Sequence, residues 1–189
     1  MAEQTTKQST IQQFLAKLQQ LVIQEDRGAL ADLRHGFSPG TEYRAWPYIA
    51  SVCNLQDDTQ RHIWLTIAAG FATHRGTDPH AGDMGSTLRS LALGQPGEPE
   101  EKALKSFDAR FRRLLTCEDA VELCDRLRSI ILAADRKGIG VDYEQLFWDL
   151  QTWHKAEKKV KLRWAQSYWR QEKSKGGETA DVSDTNPNP

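Results

Sequence analysis

Four groups that could hold a metal fall within one short stretch, His74-Arg-Gly-Thr-Asp-Pro-His-Ala-Gly-Asp83, which contributes two imidazoles and two carboxylates. Zinc and similar ions take this kind of donor set. The spacing matches no established ligand pattern, and the glycines and proline predict a mobile loop, which holds coordination geometry poorly. No metal and no cofactor are therefore expected. Nucleophilic chemistry finds no support either, since no serine sits in a Gly-x-Ser-x-Gly elbow and no cysteine lies in an electropositive setting. The acidic pairs Asp57-Asp58 and Glu118-Asp119 stand at predicted helix starts, where they favour the helix dipole. Gly138-Ile-Gly140 is too short for a dinucleotide loop and follows a predicted helix rather than a strand. Nothing in the sequence points to catalysis.

Binding chemistry is better represented. From His154 to Lys175 the chain carries eight basic residues against two acidic ones, a local charge of +6 in a protein whose formal net charge is -1. Read as one continuous helix, this segment puts Trp153, Ala156, Val160, Trp164 and Ser167 on one side. Lys155, Lys159, Arg163, Gln166 and Arg170 form an adjacent stripe. A row of cations suits a polyanion, because each phosphate neutralised releases condensed counterions. The same pattern suits a lysine-rich solvated face, and spacing leaves both readings open. Further basic groups are dispersed over other predicted helices: Arg34, Arg44, Arg61, Arg112 and Arg113. Arginine bridges phosphate oxygens with a planar fork and lysine offers a mobile point charge; neither implies base specificity. Leu162 and Trp169 project from the polar side of the last helix, where they suit an unpaired base or a protein partner.

The elements that must position these groups are all helical. Almost every apolar segment has helical period and no run of β-branched alternation stands out. Helices are predicted over 9–24, 27–35 (stopping at a left-handed Gly36), 43–53 and 57–74. The last of these holds the apolar run His62-Ile-Trp-Leu-Thr-Ile-Ala-Ala-Gly-Phe71, so it should be central to the core, with His62 a hydrogen-bonded core or interface histidine. Shorter and longer helices follow over 85–93, about 102–115, 119–137 and from 142 onward. The fold expected is an all-α, two-lobed helical bundle of about eight to nine helices. Its N-terminal lobe is 1–94, its C-terminal lobe with basic helices is 100–175, and 176–189 form a disordered tail. Gly94-Gln-Pro-Gly-Glu-Pro99 marks the boundary. No apolar run approaches the about 20 residues that cross a bilayer, and the polar start lacks a signal peptide's features. Three cysteines among 189 residues fit a reducing compartment. A cytoplasmic protein without a membrane partner is expected, with Cys124 packing as a small hydrophobe.

In this order the segments resemble one family, the small subunit of the type I-E CRISPR Cascade complex, or CasB family. The resembling pieces are Arg27-Gly-Ala-Leu-Ala-Asp-Leu-Arg34, Arg44-Ala-Trp-Pro47, the pair Arg61-His62, Gly85-Ser-Thr-Leu88, Phe107-Asp-Ala-Arg-Phe-Arg-Arg-Leu-Leu115 and the region from Trp148 to Lys159. Together they span about residues 10 to 170. The resemblance implies a non-catalytic subunit of an antiviral surveillance complex, present as a head-to-tail pair of copies. Its neighbours would be the backbone subunits that carry the guide RNA and the large subunit. It further implies a basic surface holding target and displaced DNA strands, so that the R-loop persists. Carried over position by position, the contacts fall on Arg61, on Arg112 and Arg113, and on Lys155, Lys158 and Lys159. Arg34 and Arg163 join them from their place among the dispersed and striped cations. Two departures stand out: Leu33-Arg34-His35 where the family often has Leu-Arg-Arg, and Thr87-Leu88-Arg89 in place of Ser-Leu-Gly. The competing function is a helical protein–protein adaptor without nucleic-acid contact.

Overall fold

The structure is a computed structural model, and it describes residues 2–75, 82–94 and 99–170. Among these the protein is built from eight α-helices and two short 3-10 turns. Helix α1 spans Ala2–Ile23, α2 Arg27–Arg34, α3 Trp46–Ile49, α4 Asp58–His74, α5 Met84–Leu93, α6 Glu100–Leu115, α7 Ala120–Arg136 and α8 Tyr143–Tyr168. The 3-10 turns are His35–Phe37 and Glu42–Arg44. The expected tail at 176–189, Lys173 and Lys175 lie outside the described residues, as do residues 95–98 of the expected lobe boundary.

Five of the helices, α2, α4, α5, α7 and α8, start after an aspartate cap, each satisfying an amide that the first turn leaves without a partner. Asp26 accepts from the Ala29 amide (2.9 Å), Asp57 from Gln60 (3.0 Å), Asp83 from Ser86 (3.1 Å), Asp119 from Glu122 (2.8 Å) and Asp142 from Gln145 (2.9 Å). At α7 the Glu122 carboxylate returns the bond to the Glu118 amide at 3.1 Å, a reciprocal arrangement that fixes the entry of the chain. Gly138 closes α7 at φ 65° as expected.

Two local expectations need correcting. Gly36 does not take the left-handed conformation, which falls instead to Gly40 at φ 85°. Gly36 is there for proximity, since a Cβ would stand 3.1 Å from the Leu65 carbonyl oxygen of α4. The helix predicted over 43–53 shrinks to four residues, because Pro47 sits in the first turn of α3 and donates no backbone bond to the segment before it.

Helix α4 is the central element, buried continuously from Ile63 to Gly70, and it packs against α2, α3, α7, α8 and α1. Trp64 joins three helices, meeting Phe14 of α1 edge-on at 5.0 Å and Phe147 of α8 at 4.6 Å. Each fully buried Leu or Ile along this seam contributes about 1.5–3 kcal/mol relative to exposure. One apolar cluster runs from Ile11 to Tyr168. It continues across residue 94 at several places, above all where α4 lies on α7 and α8 and where α5 lies on α6 and α8. Cys124 packs inside it, and burial pushes its thiol up to about 12.

The last helix is not one rod. Ala156 leaves the helical region at φ -131°, ψ 24°, dividing α8 into arms 143–155 and 157–168. The Trp164 indole donates to Asp149 at 2.6 Å, although fifteen residues of straight helix would separate them by about 22 Å. The arms must therefore fold steeply toward each other.

Candidate nucleic-acid interface

The bend at Ala156 makes the surface that most suits a polyanion. A wide hollow of about 800 Å³ opens there, lined by Lys155, Lys158 and Lys159 together with Glu157, Leu162, Arg163 and Gln166. The three lysines are exposed, and among the described residues none has a carboxylate within ion-pair distance. Leu162 stands 56% exposed on the rim, and with Lys158, Lys161 and Ala165 it also borders a second, smaller hollow toward Leu115.

Two clasps keep the arms closed beneath these lysines. In the first, the Asp149 carboxylate, only 2% exposed, accepts from Gln145 and Trp164 and pairs with the Arg163 guanidinium. Burial pushes the Asp149 carboxyl above the ordinary aspartate value, while the bonds from Arg163, Trp164 and Gln145 pull it down. Arg163 also reaches Asp83, the cap of α5, at 3.5 Å, and Ser167 donates to the same carboxylate at 2.9 Å. In the second clasp the Cys117 carbonyl accepts from Trp153 of one arm (3.3 Å) and from Lys161 of the other (3.1 Å). Lys161 is also paired with Glu157 and lies 5.2 Å from the Trp153 ring. A buried charge is tolerable only when paired and hydrogen-bonded, and the Asp149 carboxylate meets both conditions, while the Arg163 Nε is left without a hydrogen-bond partner.

The cations singled out in the sequence divide by use. Arg61 is 19% exposed and knits the chain together: it donates to the Leu55 carbonyl at 2.7 Å, pairs with Asp58 and lies 3.6 Å from Glu42. Arg34 donates to the Ala72 carbonyl at 3.1 Å, tying α2 to the end of α4, and burial lowers its pKa. Arg163 belongs to the first clasp, so the stripe expected along one straight helix is broken by the bend, and its arginine turns inward. Arg112 is held by Asp108 at 3.0 Å and lies 5.4 Å from the Trp169 ring. Arg113 and the three lysines remain outward. Arg44, also noted in the sequence, is engaged by Asp32 at 2.6 Å.

The possible metal ligands are similarly occupied. His74 is buried against the Tyr143 hydroxyl, and Asp83 caps α5. Asp78 and His80 lie outside the described residues. Among the described residues no cluster of three or more His, Cys, Asp or Glu could hold a metal ion. No described helix is long and apolar enough to cross a membrane. His62 is a quarter exposed rather than buried, its Nδ1 2.8 Å from the Asp58 carbonyl.

Sequence reasoning missed Asp149 and the bend it secures. The available signal was a lone carboxylate inside the apolar run Leu146-Phe-Trp-Asp-Leu150, a placement that requires internal partners. It named Gly85 only within a family motif and not for its packing: an added Cβ would run into the backbone carbonyl of Trp164, so that only glycine lets α5 and α8 touch. Arg89, read as a departure, is a buried strut that donates to the Tyr168 carbonyl at 3.0 Å and pairs with Glu100.

Comparison with known proteins agrees with this architecture. Residues 29–169 match the family model of CRISPR-associated protein Cse2. Among solved structures, the crystal structure of TTHB189, a CRISPR-associated protein of the Cse2 family from Thermus thermophilus, aligns with a TM-score of 0.64. It is 27% identical, and the alignment covers 84% of this chain and 96% of that one. No curated protein matches the chain in sequence. With the family match running from α2 to the end of α8 and the helical architecture shared, the chain belongs to the Cse2 family, which is the small subunit of type I-E Cascade, also called CasB.

Proposed function

We propose that this Cascade subunit holds DNA strands without reading their sequence, using the lysine-lined bend of α8, and so stabilises the R-loop formed when the guide RNA pairs with its target. The observation that carries this reading is the hollow at Ala156, where Lys155, Lys158 and Lys159 stand exposed without carboxylate partners over a firmly clasped base. A fixed cationic surface suits a sugar-phosphate chain because no side-chain network has to be dismantled on binding. Exchange of a DNA duplex for an RNA–DNA duplex is nearly balanced, so a few phosphate contacts suffice to tip it.

In this reading the three lysines touch target or displaced strand, with Arg112 and Arg113 as further contacts. Arg34, Arg61 and Arg163 serve by holding the scaffold. The protein works in the cytoplasm as a non-catalytic part of antiviral defence. It contacts the guide-RNA-bearing backbone, the large subunit and a second copy of itself arranged head to tail.

The test is the triple variant Lys155→Glu, Lys158→Glu, Lys159→Glu in the assembled complex. Helix content and unfolding midpoint should be retained, while the slope of log affinity against log salt loses about 2.7, or 0.9 per duplex phosphate contact. Unchanged DNA retention at low salt rejects the assignment. Leu162, exposed among these cations, favours a second reading in which the surface docks an acidic protein. A photo-crosslinker placed at position 162 separates the two by whether it captures DNA or protein.

A further inference from the structure

A second cationic groove lies away from the bend, between α6 and α7. It encloses about 420 Å³, with Arg110, Arg113, Arg126 and Arg136 around a floor that includes Phe107 and Ile130, and no carboxylate is among its lining residues. Arg126 is held by Glu122 at 2.7 Å, and Arg110 lies 5.0 Å from the Phe107 ring. Arg113 and Arg136 have no ion-pair partner among the described residues. Four guanidinium groups around an apolar floor form an anion-binding surface that the described residues leave uncovered.

The chain itself supplies a complementary segment. Trp169, just beyond α8, is fixed to α6: its indole donates to Asp108 at 3.0 Å and meets Phe111 edge-on at 5.2 Å. Residues 176–189 carry Glu178, Asp181 and Asp184 and no basic residue. At helical spacing Asp108 and the groove residues Arg110 and Arg113 fall on different sides of α6, so a segment leaving Arg170 must pass around the helix. A helix about 10–12 Å across has a half-girth of roughly 16–19 Å, and the eight residues from Arg170 to Glu178 extend to about 26 Å. Eight extended residues are long enough to span that half-girth.

We propose that the acidic segment 176–189 docks in cis into the arginine groove between α6 and α7, and that it restrains polyanion binding on this side of the molecule. Docking stands on charge and reach alone; the restraint rests on the DNA-binding reading. Glu178, Asp181 and Asp184 pair with Arg113, Arg136 and Arg110, leaving the lysines at the bend uncovered.

The experiment uses the full chain with a nitroxide on Ser183→Cys in a Cys53→Ser background, the other two cysteines being buried. Amide signals of residues 107–114 and 126–136 should broaden at low salt. The broadening should vanish in high salt, in Glu178→Gln/Asp181→Asn/Asp184→Asn and in Arg113→Gln/Arg136→Gln. Absence of broadening, broadening centred on residues 154–166, or broadening indifferent to the arginine pair each overturns the proposal. In parallel, the neutral-tail variant should bind oligothymidylate with a salt slope steeper by about 0.7 per arginine freed. An unchanged slope overturns the restraint. Failure of both forms to bind the oligonucleotide, with broadening intact, supports docking and counts against DNA binding by the free chain.

Discussion

Around Arg61 and around Ala156 the chain concentrates charge to a similar degree, with opposite results. At Arg61 the guanidinium is surrounded by Asp58, Glu42 and the Leu55 carbonyl, so its charge is spent inside the protein, closing the junction between the Glu42–Arg44 turn and α4. At Ala156 the buried Asp149 carboxylate holds the partly exposed Arg163 guanidinium, and the lysines beside them are left to solvent. The arginine fork, with five donors, satisfies several acceptors at once and so serves as a strut at Arg61 and Arg163, whereas Lys155, Lys158 and Lys159, hydrated point charges, stay outside. A count of cations along a sequence is therefore a poor map of the field a ligand meets.

The contrast can be broken most severely at Asp149. Asp149→Ala leaves Arg163 and Trp164 without their common acceptor and should cost about 3–5 kcal/mol, as when one partner of a buried ion pair is removed. The same change should lower DNA retention, because the arms that carry the lysines are no longer clasped. Urea unfolding measures the first, and retention at a fixed salt concentration the second. Asp149→Asn, which keeps an acceptor for Trp164, should recover part of both.

Arg61→Met sharpens the contrast from the other side. It should cost about 1–3 kcal/mol through lost hydrogen bonds while leaving the salt slope of DNA binding unaltered. A slope that falls with stability unchanged would show Arg61 to be a contact rather than a strut.

The smallest effect concerns His74. Burial lowers its pKa below the ordinary value, with Asp135 and backbone bonds pulling the other way. The unfolded chain therefore binds the proton more readily, so stability is full above about 6.5 and is lost as pH falls toward the folded value. His74→Gln should flatten this part of the pH dependence of the urea midpoint, without changing the salt slope.

Much of the fold was legible because its signals are local. Asp57, Asp83, Asp119 and Asp142 each stand one residue before a helix, and the apolar run from Ile63 to Phe71 marked α4 as central. The outward lysines could be found from composition and family resemblance together. The bend at Ala156 could not, because it has no proline or glycine to announce it. It is secured by groups fourteen and fifteen positions apart that meet only once the chain has folded. Arg163 was misplaced for the same reason: helical periodicity assumes a straight axis, and here the axis turns.

Gly85 has a reach out of proportion to its size. The backbone of α8 rests on it at Trp164, in the arm that begins at the bend and carries Lys159 and Lys158 about 7.5–9 Å further up. Gly85→Ala would act as a shim under a hinge, tilting the whole arm outward. A single methyl group, uncharged and buried far from any strand, would swing the lysines off their line.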